Sequence, residues 1–200
     1  MTDKETKFAI SLNFIEDNDL AKAGIPDEYK NPLLTWVRFI FTDDLPNANQ
    51  QGIGQDEFSN LIKSMSYMPI KADFDSEFGL EGHSEARIIG VIKGGQQQAN
   101  TVVTIGAIYH DEYPEIVDFF KKEMAEGGRV DFSWEIRYKD SEEKDGVEWL
   151  KEVTTKAVTA VQHPAYEGRT PLVSISSGLL KDIPTHQLLS MKKLLSVGVE

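Results

Sequence analysis

The chain has 200 residues, and its 21 basic and 33 acidic side chains give a formal net charge of −12. That balance argues against a groove that tracks the phosphates of DNA or RNA, because such a groove needs a basic stripe. A composition of 40% hydrophobic and 10% aromatic residues is that of a globular chain with a core, and the absence of cysteine excludes disulfides, thiolate metal sites and a cysteine nucleophile.

The acid is unevenly placed: successive quarters of fifty residues carry −4, −3, −7 and +2. No stretch approaches the roughly 18 apolar residues of a membrane helix. The start, MTDKETKFAISLNF, has no basic segment ahead of an apolar run, so no secretory signal is expected. From Leu33 to Phe41 the residues read as a strand that ends at Asp43-Asp44-Leu45-Pro46-Asn47, and the polar tract from Asn47 to Gln55 reads as a loop. Phe58, Leu61, Ile62 and Met65 recur at helical spacing, which predicts a short helix over about 55–66, ended by Pro69. Arg87–Ile92 and Thr101–Ile108 read as strands joined by a turn at Gly94-Gly95-Gln96-Gln97-Gln98. A helix follows from Pro114, with Ile116, Val117, Phe119, Phe120 and Met124 on one face and Gly127-Gly128 as its stop. Val130–Tyr138 alternates as a strand, Asp145-Gly146 signals a hairpin, and Val147–Val161 returns as one long partner. Ile183–Val197 reads as a last amphipathic helix. The recurrent alternation predicts a mostly β protein with a few helices.

The four histidines, His83, His110, His163 and His186, form no H-x-H pair and no H-E-x-x-H helix, so no metal site is expected. Asp140 to Asp145 lacks the calcium-loop pattern and reads as a solvated hairpin tip. The common nucleotide and nucleophile-elbow motifs are absent, and no cofactor is expected. On the strand from Val130 to Ile136, alternation puts Val130, Phe132, Trp134 and Ile136 on one face and Asp131, Ser133 and Glu135 on the other. A serine held between two core aromatics has the rigid support a nucleophile needs. The plainer reading is a half-exposed strand with its polar face in water. His83, glycine-flanked just ahead of a strand, is a candidate general base or a surface loop residue, and His163, where a strand ends, is a second candidate base.

Several segments, taken in order, match a known pattern: Pro46-Asn47-Ala48-Asn49, Met68-Pro69-Ile70, His83 ahead of Ile89-Gly90-Val91-Ile92, the Val130–Glu135 strand, and Ala157–Tyr166. The series resembles the prohead (capsid maturation) serine proteases of tailed bacteriophages, relatives of the herpesvirus assemblin proteases, over residues 33 to 175. The resemblance implies an α+β fold, mostly an antiparallel β-barrel flanked by a few helices. It further implies a protease domain over residues 1–178, with 179–200 as a C-terminal helix that contacts a scaffold or another copy, or begins a removed tail. It makes Ser133 the nucleophile and His83 the general base of an endopeptidase that cleaves scaffold and major capsid proteins during head maturation. Such an enzyme self-associates and works in the host cytoplasm inside the assembling procapsid, with neither nucleic acid nor membrane as partner. Where relatives often carry an acid that could orient the histidine, this chain has Ala157. Glu152, Asp131, Glu135 and His163 are the candidate substitutes, and spacing selects none of them. The Gly127-Gly128-Arg129 turn and the Arg169 loop are the candidate sources of oxyanion N–H groups. Glu200, with Gly198 two residues upstream, reads either as an autocleavage end or as a plain chain boundary. The competing expectation is a non-enzymatic phage assembly protein on a related barrel, with Ser133 and His83 structural. A small acidic β-rich binding module is a third.

Overall fold

The computed structural model describes residues 31 to 175, apart from 32, 163 and 167. His163, His186, the last helix, the 178 boundary and Glu200 lie outside the described residues. About half of the described residues are strand, with two short helices, so the α+β class holds. Among the described residues no helix is long and apolar enough to cross a membrane.

The strands in chain order are β1 (Leu34–Asp43), β2 (Gln51–Ile53), β3 (Pro69–Ala72), β4 (Phe74–Asp75), β5 (Gly79–Leu80), β6 (Arg87–Gln98), β7 (Thr101–Tyr109), β8 (Asp131–Arg137), β9 (Asp140–Lys144), β10 (Val147–Lys151), β11 (Thr154–Val161) and β12 (Leu172–Ile175). Helix α1 (Phe58–Met65) follows a 3₁₀ turn at Gln55–Glu57, and α2 (Pro114–Glu126) follows β7. Proline opens α2, where its missing N–H costs nothing, and Gly127 ends the helix at φ 75°.

Seven strands form the main sheet in the order β12-β1-β7-β6-β3-β11-β8. The two edges touch at one point: Phe132 N–H donates to Thr170 O at 2.9 Å and Leu172 N–H to Val130 O at 2.8 Å, beside a bridge between Asp131 and Pro171. Past that point β8 and β12 separate among the described residues. The expected closed barrel is therefore corrected to a curled half-barrel. Among the described residues, the contact between the two edge strands is confined to the segment around Asp131 and Pro171, while β12 pairs with β1 through Leu172, Ser174 and Ile175. Phe39 of β1 and Phe132 of β8 stack inside the curl at 4.0 Å, and Phe120 of α2 meets Phe132 edge-on. Phe58, Leu61 and Met65 of α1 are fully buried in the same cluster, so both helices plug the curl.

Four local readings change. The stretch Gly94–Gln98 is strand, and the turn is Ala99-Asn100. Gly95 serves packing: a Cβ there would lie 2.4 Å from Met65 Sδ and press on the Val103 carbonyl, so α1 seats most closely on β6 over a bare position. The polar tract after Asn47 contains β2, which pairs in parallel with β10. Asp140–Lys144 is an exposed strand, with the tip at Asp145-Gly146, both at positive φ as a two-residue type I′ hairpin needs. The long partner Val147–Val161 is broken into β10 and β11 at Glu152, φ 50°. There α1 and the 3₁₀ turn ahead of it capture the backbone: Val153 N–H donates to the buried Glu57 carboxylate and Thr155 N–H to Ser64 Oγ.

Candidate functional site

The outer face of β8 carries Asp131, Ser133 and Glu135 in a row, because Phe132, Trp134 and Ile136 point to the core. Across the antiparallel ladder these three face Val161, Thr159 and Ala157 of β11. Thr159 is in turn aligned with Lys71 of the parallel strand β3, and Lys71 with Ile88 of β6. A transverse row of Ser133, Thr159, Lys71 and the half-exposed Ile88 therefore crosses four strands.

Glu135 is the hub of this face. Lys71 Nζ donates to both of its oxygens at 2.9 and 3.0 Å, Thr159 Oγ1 donates to Oε1 at 2.9 Å, and Lys156 Nζ stands 3.4 Å from Oε2. Burial alone pushes the Glu135 carboxyl up, but the hydrogen bonds from Lys71 and Thr159 and the charge of Lys71 outweigh it. They hold the carboxyl at about 2, against an ordinary 4.5.

His83 lies in the turn between β5 and β6. Asp73 brackets that turn, its backbone carbonyl accepting from Glu81 N–H at 2.9 Å and its carboxylate from Glu85 N–H at 3.2 Å. The result brings His83 Nδ1 to 3.6 Å from Glu135 Oε1, within ion-pair reach and outside hydrogen-bond reach, with the imidazole 45% exposed. The other ring nitrogen, Nε2, is thus the one available to a hydroxyl. Ser133 is half-buried, and its hydroxyl forms no hydrogen bond to His83 or to any other described residue. Ser133 thus shares the outer face of β8 with the carboxylate that His83 approaches, and no hydrogen bond joins Ser133 to His83.

Of the candidate orienting acids, Glu135 is at His83. Glu152 lies at the β10–β11 break and pairs with Lys139, and Asp131 is buried under a bidentate contact from Arg129 Nε and Nη2, each at 3.0 Å. Burial pushes the Asp131 carboxyl up and Arg129 opposes it. Both suggested oxyanion donors that bear arginine are already used: Arg129 N–H donates to Glu123 Oε2 and Arg169 N–H to Tyr166 O. Arg169 instead ties loops together, its guanidinium on Asp43 and on Pro46 O and over the Tyr166 ring at 4.9 Å, while Ala48 N–H bonds Ala165 O. These contacts join the Pro46–Asn49 loop to Ala165, Tyr166 and Arg169 as one buttress. His110 is elsewhere, at the end of β7, with Nδ1 2.9 Å from Thr35 Oγ1. A cavity of about 360 Å³ between α1 and the β10–β11 break is lined by Asn60, Lys63, Ser64, Lys139, Glu152, Val153 and Thr154, none of them on the Ser133 face.

Sequence reasoning missed Lys71, Lys156 and Thr159. Lys71 carries no motif, and its place depends on a parallel pairing between segments far apart in the chain. Among the described residues no group of three or more acidic or histidine side chains is arranged for a metal ion. No family model matches the chain, and no curated protein matches it significantly.

Proposed function

We propose that the protein is a serine endopeptidase, with Ser133 as nucleophile and His83 as general base. The observation that carries the reading is that His83 Nδ1, 50 positions from Ser133 in the chain, stands 3.6 Å from the carboxylate of Glu135, which shares the outer face of β8 with Ser133. In the reaction Ser133 Oγ attacks the peptide carbonyl and passes its proton to His83 Nε2. That nitrogen returns the proton to the leaving amine, and water, deprotonated by the same nitrogen, releases the acyl group and restores Ser133. Together with the resemblance to prohead proteases, this makes scaffold and major capsid proteins the substrates, and a self-associating enzyme inside the assembling procapsid its setting. A fluorophosphonate probe tests the reading. Wild type should become covalently labelled, Ser133→Ala should not, and His83→Ala should label at least a hundredfold more slowly. Absence of labelling in folded wild type, or labelling that survives Ser133→Ala, overturns it.

A second reading, a non-enzymatic assembly protein on this scaffold, draws on one observation: the Ser133 hydroxyl has no hydrogen bond to His83, while Lys71, Lys156 and Thr159 engage Glu135 as a structural ion pair does. The same labelling experiment separates the two.

A further inference from the structure

We infer that Glu135 is the positioning residue of this site, orienting His83 from β8, across the ladder from the position where the sequence pattern leads one to look for an acid. The inference rests on the Ser133–His83 reading above. That position, 157, holds an alanine, and the strand register sets Ala157 directly opposite Glu135 on the same face. Directly opposed residues have Cβ atoms about 4.5–5.5 Å apart, so a carboxylate on either strand reaches the same small volume. The methyl group of Ala157 leaves that volume to the side chain of Glu135.

Orientation needs a fixed carboxylate, and this one is fixed on three sides. Lys71 spans both oxygens from β3, Thr159 holds Oε1 from β11, and Lys156 stands by Oε2. Oε1, the oxygen held by Thr159, is the one 3.6 Å from Nδ1. Closing that gap by under an ångström makes an Nδ1–H···Oε1 hydrogen bond, fixes the tautomer, and leaves Nε2 unprotonated to accept the Ser133 proton. Lys71 is then the clamp on the orienter, and Asp73, through both ends of the His83 turn, sets the height of the ring.

The test uses full-length protein and the fluorophosphonate labelling rate, with the ¹⁵N chemical shifts of the His83 ring as a readout independent of reactivity. Glu135→Gln keeps the shape and the Thr159 acceptor, and it should slow labelling roughly 10²- to 10⁴-fold. In the same variant the His83 ring should move from the Nδ1–H tautomer to a mixture. The decisive arm is relocation: Glu135→Ala with Ala157→Asp restores a carboxylate from the other strand. It should recover at least tenfold of the rate lost in Glu135→Ala alone and return the Nδ1–H signature. If relocation does not fold, Glu135→Asp, which retains the charge on β8, should keep more of both readouts than Glu135→Gln. Wild type that labels at Ser133 while Glu135→Gln leaves rate and tautomer unchanged overturns this inference and leaves the protease reading standing. Loss of labelling specificity for Ser133 overturns the protease reading whatever His83 shows.

Discussion

Replacing Glu135 by glutamine tests the electrostatics of the hub through stability alone. The wild-type carboxyl is held at about 2 against an ordinary 4.5, so folding favours its ionised form. At about 1.36 kcal/mol for each tenfold change in proton affinity, the gap sets a ceiling of ~3.4 kcal/mol. The true figure is smaller because the partners are wet: the Lys156 side chain is 52% exposed and that of Lys71 22%. Screening brings the expectation to ~1–2 kcal/mol, or a fall in melting temperature of about 2–8 °C for a domain of this size. A depressed carboxyl contributes stability that is complete above its unfolded value and lost as pH falls through its folded value. The deficit of Glu135→Gln should therefore be full at pH 7, shrink below about 4.5, and vanish near 2. Denaturant unfolding of both proteins at steps between pH 7 and 2 measures it, the difference between them cancelling every other carboxylate. Glutamine still accepts from Thr159, so a deficit that persists unchanged at pH 2 would mean that packing, and not charge, holds this side chain, and the reasoning would fail.

Three further substitutions probe the frame around the site. Gly90→Ala puts a methyl 2.2 Å from the Ala107 carbonyl oxygen on the neighbouring strand; backbone cannot step aside as a side chain can, and a loss of at least ~2 kcal/mol in denaturant unfolding is expected. Arg169→Lys gives up the division of labour in which Nη1 reaches Asp43, Nη2 bonds Pro46 O and the guanidinium lies over Tyr166, and should cost ~2–3 kcal/mol with increased protease nicking of the 44–50 loop, since a point-charge ammonium cannot make all three contacts. Asp131→Asn should change stability at pH 7 by less than ~1 kcal/mol. Burial raises the Asp131 carboxyl despite Arg129, so the ionised form is a net cost to folding; wild type should gain on the variant as pH falls from 7 toward 4.

How much of this was legible in the sequence depends on how local each feature is. The face of β8, the proline start and glycine stop of α2, and the Asp145-Gly146 hairpin follow from alternation or from backbone conformations that few residues accept. They could be read because each is decided within a few residues. The break at Glu152 was hidden, because it depends on Glu57 and Ser64, of a 3₁₀ turn and the helix after it about ninety positions earlier, binding the backbone at Val153 and Thr155. Gly94-Gly95 misled for the same reason: glycine signals both turns and close approaches, and only the seat of Met65 on Gly95 separates the two. Closure was not legible because it depends on how the two edge strands β8 and β12 meet across the sheet, a long-range contact limited here to the Asp131–Pro171 region, which no periodicity announces.

The site shows the same limit at finer scale, and a single irregularity accounts for it. In β11 the pairing runs from Ala157 opposite Glu135 to Thr155 opposite Ile136, leaving Lys156 as the extra residue of a bulge. Strict alternation would carry Lys156, like Val158 and Ala160, to the core side, where an unpaired ammonium has no place. The bulge turns it out instead: Lys156 is exposed, and its Nζ stands 3.4 Å from Glu135 Oε2. One inserted residue thus resolves a conflict between a lysine and the core, delivers a second cation to the hub, and sets the alanine across from the carboxylate that His83 approaches. An alternation pattern read from sequence counts residues evenly and passes over this step. Removing the bulge by deleting Lys156 should therefore do more than lose one charge, because it shifts Thr155 and everything before it by one register position against β8.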